Sequence, residues 1–229
     1  MYSTPIGPSN LVRLLAAWAP VDANASAMDV AERMGLAIGP LDAIRLQAAQ
    51  QSLRVSGAAP AGAPPKARAY QQAQALAGEV QKVRGVLARA VAQDPLALAH
   101  YAAADAEAAG YAPWQQRHLE LQRQMGQMVG ALRDHARQTV ARTAPRLQPL
   151  ATLDAAFEQL HAPREQALLP TTAALLERRF NALRSADPAW LASFAHDWRQ
   201  ALLAELDLRL EPVMGLLEAL RHETGSPTP

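Results

Sequence analysis

Residues 190–223 read WLASFAHDWRQALLAELDLRLEPVMGLLEALRHE, and this stretch decides the fold class. Apolar side chains recur there every three or four positions, at Leu191, Phe194, Trp198, Leu202, Leu206, Leu210, Val213, Leu217 and Leu220. That spacing lines one face of an α-helix, and a rise of about 1.5 Å per residue makes the helix roughly 50 Å long. Only other long helices could cover a stripe of that length. The stretch therefore predicts a helical bundle.

Similar amphipathic patterns upstream predict three more long helices, over 66–93, 113–143 and 150–183. Pro145 should close the second of them, because proline cannot continue a helix without losing a hydrogen bond. Pro163 and Pro170 should break or kink the helix over 150–183, and Pro212 should kink the last helix. An alanine-rich helix is predicted to start at Asp94-Pro95 and to end near Ala109. Gly126 and Gly130 have the spacing of a tight helix crossing, with a hinge as the alternative.

The N-terminal part has shorter patterns. Ser9 can cap a helix over 10–19, a second helix is predicted between Ser26 and Gly35, and a third from Pro40. Residues 57–65, GAAPAGAPP, have no periodicity and read as a linker. The predicted fold is all-α, with a small N-terminal helical unit and an elongated bundle of long, kinked, antiparallel helices. The predicted domains are 1–56 for the N-terminal unit, 57–65 for the linker, 66–223 for the bundle and 224–229 for a disordered tail.

Composition limits the functional classes. The chain has no cysteine, which excludes disulfides and thiolate metal sites. No segment approaches the roughly 18 continuous apolar residues of a membrane span, so membrane insertion is not expected. The N-terminal region also has no basic segment before its apolar run, which argues against a secretory signal. We therefore expect a cytoplasmic protein.

Motifs that carry catalysis are missing from the sequence. None of the six histidines belongs to His-Glu-x-x-His, and there is no pair of Glu-x-x-His motifs of the di-iron bundle type. No phosphate loop or Gly-x-Ser-x-Gly occurs either. His118 lies at the edge of a stripe, where a hydrogen-bonded or half-exposed histidine is the ordinary expectation. Asp207 and Glu211 share a solvated helix face, which favours solubility over acid–base catalysis. We predict no catalytic residue, no metal site and no cofactor, and we do not expect an enzyme.

Charge is distributed unevenly along the chain. Residues 66–185 carry 15 basic and 10 acidic residues, whereas residues 186–229 carry three basic and seven acidic ones. The acidic residues of the last helix, Asp207, Glu211 and Glu218, are the candidate surface for a protein partner. The alternative is nucleic-acid binding by the basic segment, through Arg133, Arg137, Arg178, Arg179 and Arg184. Asp134 and Glu177 interrupt these arginines and no exposed aromatic residues are expected among them, so pairing within the bundle is the preferred interpretation.

Four stretches together resemble a known family. They are SNLVRLL at 9–15, YAPWQQRHL at 111–119, LLERRFNALR at 175–184, and LLAELDLRLEPV at 202–213 continuing to LEALR at 217–221. They resemble the proteobacterial domain-of-unknown-function family 3348 over nearly the whole chain. The alanine-rich segment 94–110 and the linker 57–65 are the variable parts. That family has no known catalytic residues, so the resemblance implies none here.

The resemblance does imply a context. Such proteins are typically encoded beside a stator-like channel protein and a protein with an OmpA-like domain, an arrangement similar to the Zorya anti-phage systems. The expected partners are therefore these two proteins and a further cytosolic component, and a homodimer stays open. We expect a non-catalytic accessory protein that acts through protein contacts. A nucleic-acid-binding effector in the same system is the alternative.

Overall fold

The computed structural model describes residues 9–18, 47, 51, 66–98, 110–186 and 189–224. These residues form helices and turns without a strand, which confirms the all-α class. In the described part of the chain, no helix is long and apolar enough to cross a membrane. The α-helices are α1 (Asn10–Trp18), α2 (Lys66–Ala92), α3 (Ala112–Thr143), α4 (Gln148–Ala186) and α5 (Trp190–Thr224). Short 3-10 helices cover Pro95–Ala97 and Pro145–Leu147.

Local capping explains where these helices begin and end. The Ser9 hydroxyl accepts a hydrogen bond from Val12 N at 3.3 Å, which confirms the predicted cap of α1. The Asp94 carboxylate accepts one from Leu96 N at 3.1 Å and caps the first 3-10 helix. Gly110, two residues before α3, has φ of 65°, a left-handed conformation that costs glycine little. Pro145 follows the end of α3 as predicted.

Of the two effects predicted for Pro163 and Pro170, a break does not occur. The helix α4 continues from Gln148 to Ala186 without a break, although Pro163 and Pro170 lie inside it. Each proline removes one backbone hydrogen bond. A 39-residue helix keeps its other hydrogen bonds, which are enough to hold the helical path. Pro212 likewise lies inside the continuous helix α5.

Several predicted elements lie outside the described residues. They include the second N-terminal helix, the linker 57–65, most of the alanine-rich helix and nearly all of the tail. The predicted start of the alanine-rich helix at Asp94-Pro95 is wrong, because Pro95–Ala97 forms only a 3-10 helix and Leu98 is extended. Of the third N-terminal helix only Gln47 and Gln51 are described, and both are helical. The predicted domain boundaries therefore stay a prediction.

The chain divides into two compact units. Unit 1 contains Met1–Val21, Val83–Val129 and Leu168–Leu210. Unit 2 contains Asp22–Lys82, Gly130–Ala167 and Glu211–Pro229. In unit 1, α1 contacts α4, because the Arg179 guanidinium lies 5.9 Å from the centre of the Trp18 ring.

The predicted stripe of α5 faces a core in each unit. Phe194, Trp198, Leu202, Leu206 and Leu210 are buried in unit 1, and Leu191 is half-buried there. In unit 2 the same helix buries Val213, Leu217 and Leu220, together with Leu216. The burial confirms the interpretation of the stripe as a core-facing surface.

Within unit 1, α3 and α5 run parallel. Their contacts advance together along both helices, from Trp114 against Phe194 to Gln122 against Glu205. The helix α4 comes between them in the sequence. A short connection reverses the chain on each side of α4, so alternate helices point the same way.

Candidate functional site

Aromatic side chains form the densest part of the unit 1 core. The Phe194 ring makes edge-on contacts with Trp114 and with Phe180, each at 5.0 Å between centroids. Trp198 meets Trp114 edge-on at 5.2 Å, and Trp190 meets Phe180 at 5.0 Å. Such edge-to-face pairs are favoured by the ring quadrupoles and hold each ring in one orientation. The cluster therefore fixes how α3, α4 and α5 approach each other at this end of unit 1.

A row of four polar residues continues from the aromatic cluster along the contact of α3 and α5. We call His118, Gln122, Glu205 and Arg209 the polar row. Gln122 Nε2 donates to Glu205 Oε2 at 2.8 Å, and Arg209 donates to Glu205 Oε1 through Nε at 2.9 Å and Nη2 at 2.8 Å. The Glu205 and Arg209 side chains are only 5% and 12% exposed. A buried carboxylate of this kind is tolerated because both of its oxygens accept hydrogen bonds.

His118 occupies the end of the polar row next to Trp198. Its side chain is fully buried, its ring lies 6.4 Å from Trp198, and neither ring nitrogen has a hydrogen-bond partner among the described residues. Burial lowers the pKa of His118 from 6.5 to about 4; the Glu205 charge opposes this shift and the Arg209 charge adds to it. His118 is therefore neutral at physiological pH. The half-exposed environment expected for His118 is wrong, because α5 covers this part of α3.

Two further contacts anchor the first turns of α3. The Tyr111 hydroxyl donates to the Ala173 carbonyl at 2.8 Å, and burial raises the pKa of Tyr111 above its ordinary value. Arg117 Nε donates to the buried Asp94 carboxylate at 2.5 Å, and this hydrogen bond raises the pKa of the guanidinium. Tyr111 thus connects α3 to α4. Asp94 connects α3 to the 3-10 helix that it also caps.

Unit 2 has a different charged group, which we call the ion cluster: Arg133 and Arg137 of α3 with Asp154 and Glu158 of α4. Arg133 contacts Asp154 through two nitrogens, at 2.8 and 2.7 Å. Arg137 donates to Asp154 at 3.0 Å and to Glu158 at 2.7 Å, and it also pairs with Asp134. The side chains are between 12% and 34% exposed, so water reaches the edge of the cluster. Its charges are compensated within the unit.

The residues predicted to bind a partner differ in their surroundings. Asp207 lies in unit 1 and accepts a hydrogen bond from Arg84 Nε at 3.0 Å, with 46% of its side chain exposed. Glu211 and Glu218 lie on the exposed side of α5 in unit 2, where Met214 and Gly215 are exposed as well. Asp207 therefore already has a partner inside the chain. The assignment of these residues to a partner surface stays a prediction.

The candidate nucleic-acid residues are distributed over both units. Arg133 and Arg137 belong to the ion cluster of unit 2. In unit 1, Arg179 donates to Asp197 at 2.8 Å, while Arg178 and Arg184 are exposed. Arg133, Arg137 and Arg179 thus pair with acidic residues of the same unit, as the preferred interpretation expects.

Among the described residues, no helix backbone crosses closely at Gly126 or Gly130, contrary to the expected tight crossing. A Cβ atom at Gly126 would lie 4.0 Å from Arg209 Nη1, and one at Gly130 would meet no described atom within 4 Å. The guanidinium of Arg209, rather than a helix backbone, comes near Gly126. Spacing alone could not show this, because the signal depends on what faces the glycines.

Sequence reasoning missed the polar row as a unit. Gln122 follows His118 by one helical turn, and Glu205 precedes Arg209 by one turn and follows Trp198 by two, so a wheel of each helix places them on the buried face. This helical spacing is the feature of the sequence that indicates a polar group on the buried faces of α3 and α5. Within the described residues, no group of three or more His, Cys, Asp or Glu side chains could hold a metal ion.

Comparison with known proteins gives one match. A family model described as "Protein of unknown function (DUF3348)" matches residues 2–222. No curated protein and no solved structure matches the chain. Three of the stretches that carry the resemblance supply Tyr111, Trp114, His118, Phe180 and Glu205 to the core of unit 1, and the first supplies Leu11. Each of these stretches therefore contributes to a core.

Proposed function

We propose that this chain, which belongs to the DUF3348 family of proteins of unknown function, is a non-catalytic accessory protein that acts through protein contacts. The system we propose is a Zorya-like anti-phage defence system, in which the chain works in the cytoplasm beside an ion-driven membrane motor. Its partners would be the stator-like channel, the OmpA-like protein or a further cytosolic component. The resemblance of the four stretches motivates this choice of system.

The observation that best supports a role through protein contacts is that the buried carboxylates are paired with other side chains of the chain. Glu205 is held by Arg209 and Gln122, Asp94 by Arg117, and Asp154 by two arginines. A catalytic acid or base must reach a substrate with a proton or a lone pair to exchange. These carboxylates instead accept hydrogen bonds from neighbouring helices. Such an arrangement supports a scaffold rather than an acid–base centre.

The stretches that carry the resemblance support the same reading. Tyr111, Trp114, Phe180 and Glu205 pack or hydrogen-bond inside unit 1. Residues that mainly shape a core preserve a surface indirectly, because they fix the helices that present it. We therefore look for function on the outer faces of the helices.

The exposed side of α5 in unit 2 is the surface we propose for a partner. Glu211 and Glu218 lie seven residues apart on this side, and Met214 between them is 42% exposed. Asp207 is a candidate from the sequence as well, but it forms an ion pair with Arg84. Reversing the charge of Asp207 would therefore also disturb a contact inside unit 1. We therefore separate Asp207 from the other two.

The experiment is phage protection by cells that carry the chain with its neighbouring genes. Deleting the gene should abolish protection. The double variant Glu211→Lys/Glu218→Lys should also abolish it, with helical signal and melting temperature unchanged, since exposed charges contribute little to stability. The matched control is Glu79→Lys/Glu177→Lys, which changes net charge equally at exposed positions on other helices. Protection should survive in the control.

The outcomes separate the parts of the proposal. Protection that survives deletion of the gene would contradict the assignment to a defence system. Protection that survives only the Glu211/Glu218 reversal would contradict the proposed surface alone. Metal-dependent DNA cleavage by the purified chain would contradict the non-catalytic role. Submicromolar DNA binding that persists at physiological salt would favour the nucleic-acid alternative, because scattered charges should give weak and salt-sensitive binding.

A further inference from the structure

Four polar atoms at the contact of α3 and α5 have no partner among the described residues. They are Nδ1 and Nε2 of His118, Oε1 of Gln122 and Nε1 of Trp198, and all four are buried. The residues themselves are at most 2% exposed, so bulk water does not reach them. Buried polar groups in folded proteins nearly always have a hydrogen-bond partner.

These atoms belong to one short part of the contact. The His118 and Trp198 rings lie 6.4 Å apart. Gln122 follows His118 by one helical turn on the same face of α3, and its amide nitrogen reaches Glu205 across the contact at 2.8 Å. The four atoms thus lie within a turn or two of one another between the same two helices.

The missing partner must both donate and accept. The indole N–H of Trp198 can only donate, and Oε1 of Gln122 can only accept. A neutral His118 offers one donor and one acceptor, and its lowered pKa agrees with the neutral form. The Glu205 oxygens already accept from Gln122 and Arg209, so this contact does not select an ion. A neutral molecule with both functions satisfies the set.

We propose that ordered internal water occupies this contact, accepting from Trp198 Nε1–H and hydrogen-bonding to His118 and Gln122. Water has two donors and two acceptors, and it fits between well-packed helices where larger molecules do not. It would complete the polar row by linking its histidine to the aromatic cluster. The α3–α5 contact is then a hydrated seam inside an otherwise apolar core, independent of what the protein binds outside.

The test is a water-selective NMR experiment on the ¹⁵N-labelled full chain. Water that stays bound longer than a few nanoseconds gives NOE and ROE cross-peaks of opposite sign to nearby protons. We expect such a pair at the Trp198 indole proton and no such pair at the Leu202 amide, which is buried within α5. A folded parent chain without this pair at Trp198 would overturn the proposal.

A variant identifies the residues that share the water. His118→Phe keeps an aromatic ring and removes both nitrogens, so the Trp198 cross-peaks should fall several-fold. His135→Phe, on the exposed side of the same helix, is the control and should leave them unchanged. Cross-peaks that persist undiminished in folded His118→Phe would overturn the shared site. If that variant does not fold, a high-resolution crystal structure of the parent decides: water within about 3 Å of Trp198 Nε1 supports the proposal, and its absence refutes it.

Discussion

Different kinds of side chain fill the cores of unit 1 and unit 2. Unit 1 buries two tryptophans and two phenylalanines to 1% exposure or less, and it places a charged pair, Glu205 and Arg209, inside the core. The described aromatic residues of unit 2, Tyr70 and Phe157, are exposed and half-buried. Alanine, valine and leucine fill its core instead, and the ion cluster lies at its partly hydrated edge.

The comparison separates two ways of fixing helices against each other. Edge-to-face rings and a buried charge tolerate few alternative arrangements, because a shift leaves a ring unpacked or a charge without its partner. Small apolar residues tolerate sliding more easily, and ion pairs near water are screened by salt. We therefore expect changes in unit 1 to cost more and to depend less on ionic strength.

The largest expected effect is that of Leu206→Asp in unit 1. Leu206 is 1% exposed, and a carboxylate there would be desolvated without a partner. We expect a loss of about 5 kcal/mol or more in the free energy of unfolding, which rivals the whole stability of many domains. Urea denaturation followed by circular dichroism measures it. Met214→Asp, at a 42% exposed position of the same helix in unit 2, should change the free energy by no more than about 0.5 kcal/mol.

The next effect concerns the buried pair of the polar row. Glu205→Leu removes the carboxylate that accepts from Gln122 and Arg209, and we expect a loss of about 3–5 kcal/mol. Glu205→Leu/Arg209→Leu should recover most of it, because both charges are then removed from the core. Equilibrium denaturation of the two variants gives the comparison. Equal losses in the single and double variants would contradict the role of the pair.

A pH dependence should come from His118. Its pKa is lowered by burial to about 4 in the folded chain, against 6.5 for the free side chain. As the pH falls from 6.5 towards 4, the unfolded chain binds a proton that the folded chain does not. The free energy of unfolding should therefore decrease by about 3 kcal/mol over this window. His118→Phe should lose this part of the pH dependence, whereas His135→Phe should keep it. An unchanged profile in folded His118→Phe would contradict the assignment.

The smallest of these effects belongs to the ion cluster. Arg133→Gln should cost about 2 kcal/mol at low salt, since a two-nitrogen contact with Asp154 is lost. In about 1 M salt, where charges are screened beyond roughly 3 Å, the difference from the parent should shrink. Thermal melts at both salt concentrations test this. The loss caused by Glu205→Leu should change less with salt. Equal salt sensitivity would remove the distinction between the units.

The sequence alone determined the helices and their inward faces. Proline, glycine and capping residues act within a few positions of themselves, so the ends of α1, α2, α3 and α5 were predicted to within a residue. The stripe of α5 depends on the same local geometry, and its residues are buried as predicted, apart from the half-buried Leu191. The prolines inside α4 and α5 do not end these helices, because a long helix can continue through a proline.

The tertiary structure decided which polar groups meet. Gln122 and Glu205 are 83 positions apart in the chain, and no local rule pairs them. The burial of His118, the approach of Arg209 to Gly126 and the neutralisation of Arg133 and Arg137 each depend on which helix covers which face. Periodicity identifies the face that is covered. The partner in each contact follows from packing between distant segments, because burial and charge compensation are properties of the assembled core.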